Sequence, residues 1–308
     1  MKKKRVFWFL TGNKNTGSSR IHGYNIHEAL LKKGIHSKIL KAGNKKPTFK
    51  QKIKYFLHFK KGDLLVVQKV KKSWLKQILI LLKLRGVSIA YIDCDLPKCD
   101  DTIVKHIDYI ICTSKNLTEL YKQKHPDKKI TYIPDAVEFY SNHLNKSNDA
   151  IYFGWLTQSR LQKIAELKPI FKSFGWDIYT MSNREPANIV WRKWEDIRTY
   201  EIISKYSISI IPIDETEKSK YKSANRVLQS LALGNIVLCG NLESYKEVVS
   251  NGVNGFICSN EMEWKKALIE ISDEKKRNEI IKNGYETAQK FSIDNIIMEW
   301  VSFLNLSK

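Results

Sequence analysis

Acidic residues are nearly missing from the start of this 308-residue chain. Residues 1–85 hold only Glu28 and Asp63 against 23 Lys and Arg, so this stretch carries the whole chain's net charge of +21. A stretch so one-signed implies a polyanionic partner, whether nucleic acid, an anionic membrane surface or an anionic acceptor, unless it is simply a solvated Lys-rich surface. Cysteine is also scarce. Cys94, Cys99, Cys112, Cys239 and Cys258 form an odd, scattered set without a C-x-x-C pair, which suggests neither a disulfide framework nor a zinc site. Three of them lie in apolar runs, where a free thiol behaves as a small hydrophobe. His22, His27 and His106 show no metal-ligand spacing and read as structural, so no metal is expected. Long hydrophobic runs are absent too. The longest are of the length of residues 6–10 and 78–82, whereas a bilayer span needs about 20 apolar residues. The basic start is followed by too short an apolar stretch for an export core, and the protein is expected to be cytoplasmic. With 43% hydrophobic residues, 14 Gly and 7 Pro, the chain is not disordered or low-complexity, and it shows no repeat.

What is present is an alternation of apolar, β-rich runs with helical stretches. Strands are expected at 6–10, 37–40, 63–67, 88–92, 109–113 and 130–133. After a polar break at 140–149 they resume at 150–153, 177–180, 189–191, 207–211, 236–238 and 255–257. Near-continuous apolar strands separated by helices signal parallel sheets covered on both faces. The fold class is therefore α/β, in two Rossmann-like domains. The expected division is 1–140 and 141–290, followed by a C-terminal helical stretch at 291–308 that packs back toward the first domain.

Several motifs carry chemistry. The turn after the first strand reads Gly12-Asn13-Lys14-Asn15-Thr16-Gly17-Ser18-Ser19-Arg20 and runs into a helix. Glycines permit a tight backbone, and a helix N-terminus capped by serine favours an anion. Gly12, Asn13, Gly17, Ser18 and Arg20 are thus candidate ligand contacts on the first domain. The spacing is not G-x-G-x-x-G, and an ordinary strand–helix turn would use the same residues. In the second half, a strand and a polar loop lead to Lys222-Ser223-Ala224-Asn225-Arg226-Val227-Leu228-Gln229, with Gly234 five residues on. Ser223 is expected to cap this helix and Gly234 to close it. Lys222 and Arg226 are expected to face an anion docked on the helix end, and Asn225 either to join them or to cap. Asp93 and Asp95 end the fourth strand. Carboxylates there either orient or deprotonate an acceptor hydroxyl, or cap the next turn.

Residues 222–237, followed by Tyr245-Lys246-Glu247-Val248-Val249 and Asn254-Gly255-Phe256-Ile257, resemble the donor-binding signature of group 1 glycosyltransferases with the GT-B fold. The runs Asp108-Tyr109-Ile110-Ile111-Cys112-Thr113-Ser114, Ile133-Pro134-Asp135-Ala136-Val137 and Ala150-Ile151-Tyr152-Phe153-Gly154 add to the resemblance, which is specific in the second half and weak before residue 100. It implies two facing domains with a cleft, and a nucleotide-sugar donor as substrate, a nucleoside diphosphate sugar rather than a monophosphate, with no obligatory cofactor. It implies diphosphate contacts from Arg160 and Lys163 after Gly154, a nucleobase contact near Trp194, and a retaining outcome. Trp194 also suits a plain core or interdomain position. The chain departs from the family at its Glu pair, eight residues apart, whose places hold Tyr221 and Gln229. Gln229 can bond ribose hydroxyls only without charge assistance. The Lys-Ser-x-Asn-Arg run resembles a branch of the superfamily without that pair.

The basic region has its own pattern. Phe49, Ile53, Phe56 and Leu57 share one helical face flanked by Lys50 and Lys54, which suits a helix lying on anionic lipid. Residues 71–85 repeat the theme more weakly and read as a helix packed on the sheet. The leading reading is a glycosyltransferase of bacterial cell-envelope polysaccharide synthesis, peripheral on the inner face of the membrane. Its acceptor would be a lipid-linked or otherwise anionic glycan. The alternatives are a catalytically silent relative acting as a membrane-associated scaffold, and a nucleic-acid-binding protein. Against nucleic acid, the basic residues interleave with apolar faces and no nucleic-acid fold motif is visible.

Overall fold

The computed structural model describes residues 4–94, 100–141, 146–186, 189–214 and 216–306. The chain forms two units. Unit 1 comprises Met1–Ala136, Tyr221–Ser223 and Ile293–Lys308, and unit 2 comprises Val137–Lys220 and Ala224–Ser292.

Unit 1 is built on six parallel strands: β1 (Val6–Leu10), β2 (Ser37–Ala42), β3 (Leu64–Gln68), β4 (Ser88–Asp93), β5 (Tyr109–Cys112) and β6 (Lys129–Tyr132), in the order β2-β1-β3-β4-β5-β6. β1 and β3 are buried along their whole length, because successive side chains point to opposite faces and helices cover both. On one face Phe7 and Phe9 pack with Phe59 and with Leu75, Ile78 and Leu79 of the helix Ser73–Leu84. Trp8 points to the other face. Its indole N–H donates to Ser37 Oγ (2.8 Å), and its ring meets Trp300 of the helix Ile293–Phe303 at 6.0 Å. Phe303 meets Tyr109 at 5.6 Å, so the C-terminal helix is part of unit 1.

Unit 2 repeats the architecture with β7 (Ser147–Gly154), β8 (Ile178–Ser182), β9 (Val190–Lys193), β10 (Tyr206–Ile211), β11 (Ile236–Cys239) and β12 (Phe256–Ile257), ordered β12-β11-β10-β7-β8-β9 and all parallel. Every strand expected from the apolar runs is present, with ends shifted by a few residues. Strand order reverses between β1 and β3 in unit 1, and between β7 and β10 in unit 2. The crevice at the carboxyl ends of such strands is where open α/β sheets bind ligands.

Two local expectations are corrected. The helical stretch after β1 is not continuous. It breaks into Gly17–Ser19, a π-helical turn at Arg20–Tyr24 and Asn25–Lys32, and Gly23 lies against Leu10 where a Cβ would come within 2.6 Å. A π turn widens the helix by one residue and lets it settle on the strand end. In the helix Phe49–His58, Phe56 is not part of an open apolar face, because the Arg85 guanidinium covers its ring at 4.4 Å.

One partly buried cation binds unit 2 together far from the strands' carboxyl ends. Lys146 Nζ donates to Ser204 O (2.8 Å), Leu233 O (2.7 Å) and Asn235 Oδ1 (2.6 Å). Burial pushes its pKa from 10.5 down to about 7. The folded value lies below the unfolded one, so the unfolded chain holds the extra proton between about pH 7 and 10.5. This group's contribution to stability therefore rises with pH across that window and is least favourable below it. Lys146→Met is expected to cost about 1–3 kcal/mol through carbonyls left unbonded. Wild type should gain on the variant as pH rises from 7 to 10, as read by parallel thermal unfolding; equal pH profiles would show that folding does not lower the Lys146 pKa.

Candidate functional site

β7 ends at Gly154, whose φ of +116° is a conformation that L side chains rarely adopt. A Cβ on Gly154 would also press on Arg226 Cδ at 3.3 Å. Arg226 is the second residue of the helix Asn225–Ala232 that follows β10. Its Nη1 donates to Phe153 O (3.4 Å), its guanidinium lies 5.6 Å from the centre of the Tyr152 ring, and the Tyr152 and Tyr245 phenols favour its charged form against burial. Burial holds the Tyr245 phenol above its usual range. Among the described residues Arg226 forms no ion pair with a carboxylate. A cation half-enclosed by phenols and one carbonyl lacks a counter-charge, which an anionic ligand would supply.

The helix that carries Arg226 starts without a side-chain cap. Its N-cap is Ala224, not Ser223 as the sequence suggested, and no N-cap side chain bonds to its first-turn N–H groups. Lys222 and Ser223 belong to unit 1 rather than to unit 2, and their neighbour Tyr221 accepts from Ser114 Oγ through its carbonyl (2.9 Å). Gly234, with φ +66°, closes the helix as expected.

The other candidates of unit 2 are placed as follows. Arg160 is 4% exposed; Nη2 meets Asp214 Oδ1 at 3.0 Å and Nη1 donates to Trp155 O (3.1 Å). Asp214 also accepts from Ser219 Oγ and Thr157 Oγ1, and Thr157 caps the helix Gln158–Ser173. Arg160 thus ties the turn after β7 to the exit of β10, and two of its donors are occupied. Lys163 lines a cavity of about 520 Å³ with Asn241, Asn260 and Trp264. Trp194 packs between Phe153 (6.4 Å, stacked) and Tyr200 (5.3 Å). Gln229, expected at ribose hydroxyls, is 1% exposed. Its Oε1 accepts from Glu138 N and Phe139 N and its Nε2 donates to Phe139 O, so the carboxamide is spent on backbone.

In unit 1 the turn after β1 is held from below. Gly12 N donates to Ser19 Oγ (2.9 Å), and Ser19 Oγ and Thr11 N both donate to Gln68 Oε1 at the end of β3. A Cβ on Gly12 would overlap Thr16. Asn13 accepts from Asn15 N and Thr16 N, and Gly17 and Ser18 open a short helix whose N-cap is Thr16, not a serine, with no side-chain bond. Arg20 is buried, with Nη1 at 3.4 Å from Lys14 O. Asp93 is fully buried. Its Oδ2 accepts from Lys71 Nζ and Tyr121 Oη (both 2.8 Å) and its Oδ1 from Cys94 N (3.0 Å). Burial raises its pKa against the opposing pull of Lys71. Asp95 lies outside the described residues. The sequence offered no signal for Lys71, Tyr121 or Asp214, nor for the pairing of His22 Nδ1 with Asp135 Oδ1 at 3.3 Å; Tyr152 and Tyr245 lie in the runs that carry the resemblance, but nothing in those runs marked them as neighbours of Arg226.

Among the described residues no group of three His, Cys, Asp or Glu side chains is placed to hold a metal ion, and no helix is long and apolar enough to cross a membrane.

No protein-family model matches the sequence, and no curated protein does. Solved structures do match in fold. HepE from Anabaena, in a complex with UDP and glucose, superposes with a TM-score of 0.71 at 11% identity over 98% of this chain and 99% of its own. Sucrose-phosphate synthase from Thermosynechococcus elongatus gives 0.70 at 12% identity over 98% of both chains. The pneumococcal O-GlcNAc transferase GtfA, in complex with UDP and GlcNAc, gives 0.64 at 11% identity over 82% of this chain. The chain spans 58% of the length of GtfA. These neighbours are GT-B glycosyltransferases, and this chain shares their α/β fold, two Rossmann-like units each on a six-stranded parallel sheet.

Proposed function

We propose that this protein is a glycosyltransferase that takes its sugar from a UDP-activated donor held on unit 2. The observation that carries the reading is Arg226. It sits at the strand-order reversal, beside a glycine whose open backbone admits a ligand, on a helix with an uncapped N-terminus, and it has no carboxylate partner among the described residues. Backbone N–H groups at such a helix end bind phosphate, and the guanidinium adds charge-assisted bonds. As the glycosidic bond to the diphosphate breaks, negative charge grows on the leaving oxygen. Arg226 and the helix end are already oriented to stabilise it. The complexes of HepE and GtfA with UDP support the choice of nucleotide.

The basic unit 1 receives an anionic, membrane-associated glycan or glycolipid acceptor in this reading, in bacterial envelope polysaccharide synthesis with retention at the transferred carbon. Gly12, Asn13, Gly17, Ser18 and Arg20 line the acceptor side. Asp93, with both oxygens engaged, acts by holding the Lys71 ammonium at the carboxyl ends of β3 and β4, and Asp95 is the candidate that contacts the acceptor hydroxyl. Arg160 positions the donor turn rather than contacting phosphate.

The test is thermal unfolding with UDP, GDP, CDP, ADP, dTDP and CMP. A nucleotide at about 100 times its Kd adds about 2.7 kcal/mol, a clear rise in Tm. UDP is expected to give the largest rise. No rise with any nucleotide would overturn the reading. One observation favours a catalytically silent scaffold in that event: Gln229, at the position of a family glutamate, is consumed by backbone bonds.

A further inference from the structure

The helix Phe49–His58 has no buried residue, although it belongs to a folded unit. A capping box holds its start: Thr48 Oγ1 accepts from Gln51 N and Gln51 Oε1 accepts from Thr48 N. Tyr55, 5.1 Å from Phe9, anchors it to the core, and Arg85 and Gln77 of the neighbouring helical stretch hold its flank through Phe56 and Lys52. Its remaining apolar side chains face outward. Phe49 is 77% exposed, Leu57 66% and Ile53 43%, and the helix Ser73–Leu84 adds Ile80, Leu81 and Leu84, the last at 80%. Lys50, Ile53, Lys54, Leu57 and His58 line one open groove along the helix. Six of the large apolar side chains exposed in the described chain thus come from these two helices.

We infer that these two helices form a preformed docking surface for an anionic lipid bilayer. The charge decides the occupant. Residues 45–61 contain seven Lys and residues 71–85 contain five Lys and Arg, with no acid in either stretch. Lysines that flank protruding apolar groups let the chain reach anionic headgroups while Phe49, Ile53, Leu57 and Leu84 enter the acyl boundary. Nucleic acid would satisfy the lysines and leave those apolar groups in water. A second copy of the chain would cover them and set two strongly basic surfaces against each other. The surface needs no UDP, so its test separates from that of the donor site.

The experiment is co-sedimentation of the full chain with vesicles of phosphatidylcholine alone and of one part phosphatidylglycerol to two parts phosphatidylcholine. Binding is expected only with phosphatidylglycerol, weakened by salt. Lys50→Gln with Lys54→Gln should reduce it about 25-fold, at about five-fold per lysine near a charged surface. Phe49→Ser with Leu57→Ser should reduce it at least as much. Both double variants replace side chains that no core packs against, and both should keep the UDP-induced rise in Tm of the wild type. Equal binding to both vesicles, unchanged binding by either variant, equally tight binding to DNA, or a dimer that Leu57→Ser dissociates would each overturn the proposal.

Discussion

Replacing Arg160 with Met is expected to lower the unfolding free energy by about 3–5 kcal/mol, the cost of breaking a buried ion pair from one side. The side chains of Arg160 and Asp214 are 4% and 8% exposed, and the pair joins the first turn of the helix Gln158–Ser173 to the loop after β10. Without the guanidinium, the buried Asp214 carboxylate loses its ion-pair partner Arg160, and Trp155 O loses a donor. Removing both charges together, as Arg160→Met with Asp214→Asn, should recover a good part of the loss, because no uncompensated charge is then buried. Urea unfolding followed by tryptophan fluorescence reads both effects. A loss under 1 kcal/mol for Arg160→Met would show that water reaches the pair.

Arg226→Ala is expected to weaken UDP binding by about 10–150-fold, since a hydrogen bond to a charged group is worth about 1.5–3 kcal/mol. Arg226→Lys should recover only part, because an ammonium cannot reproduce the planar fork on a phosphate. The contrast with Arg160 is the informative point. Arg226 has no carboxylate partner among the described residues, so its removal leaves no buried counter-charge and should cost less stability than Arg160→Met, about 1–3 kcal/mol for the Phe153 carbonyl and the phenols left without it, while binding collapses. Calorimetric titration with UDP alongside denaturant unfolding distinguishes the two arginines. If Arg226→Ala bound UDP normally, the donor phosphate would have to lie elsewhere.

Both arginines were visible in the sequence as candidates for the same phosphate. Arg160 follows Gly154 by six residues and Arg226 follows Lys222 by four, and each spacing suits a cation near a helix start. Nothing local separates them. The difference comes from Asp214, 54 residues beyond Arg160, which the parallel pairing of β7 with β10 brings alongside. Gln229 shows the same dependence. Its position in the helix is plain from the sequence, but its backbone partners at Glu138 and Phe139 lie some ninety residues away. Asp93 ends a strand, which suits either an acceptor hydroxyl or the cap of the next turn, and in the structure its oxygens accept from Lys71, Tyr121 and the Cys94 amide.

The strands and the fold class followed from the chain alone, because an apolar run bounded by Gly and polar turns has one low-energy outcome: a strand buried on both faces. The exposed face of the helix Phe49–His58 followed too, apart from Phe56, since periodicity places side chains on a helix without reference to anything distant. Pairing was beyond its reach. A charged or amide side chain carries the same label whether it is engaged inside the protein or kept for a ligand. Which of these holds depends on partners that only the packed sheets bring within 3 Å, and that is why the twelve strands could be read in advance while the division of labour between Arg160 and Arg226 could not.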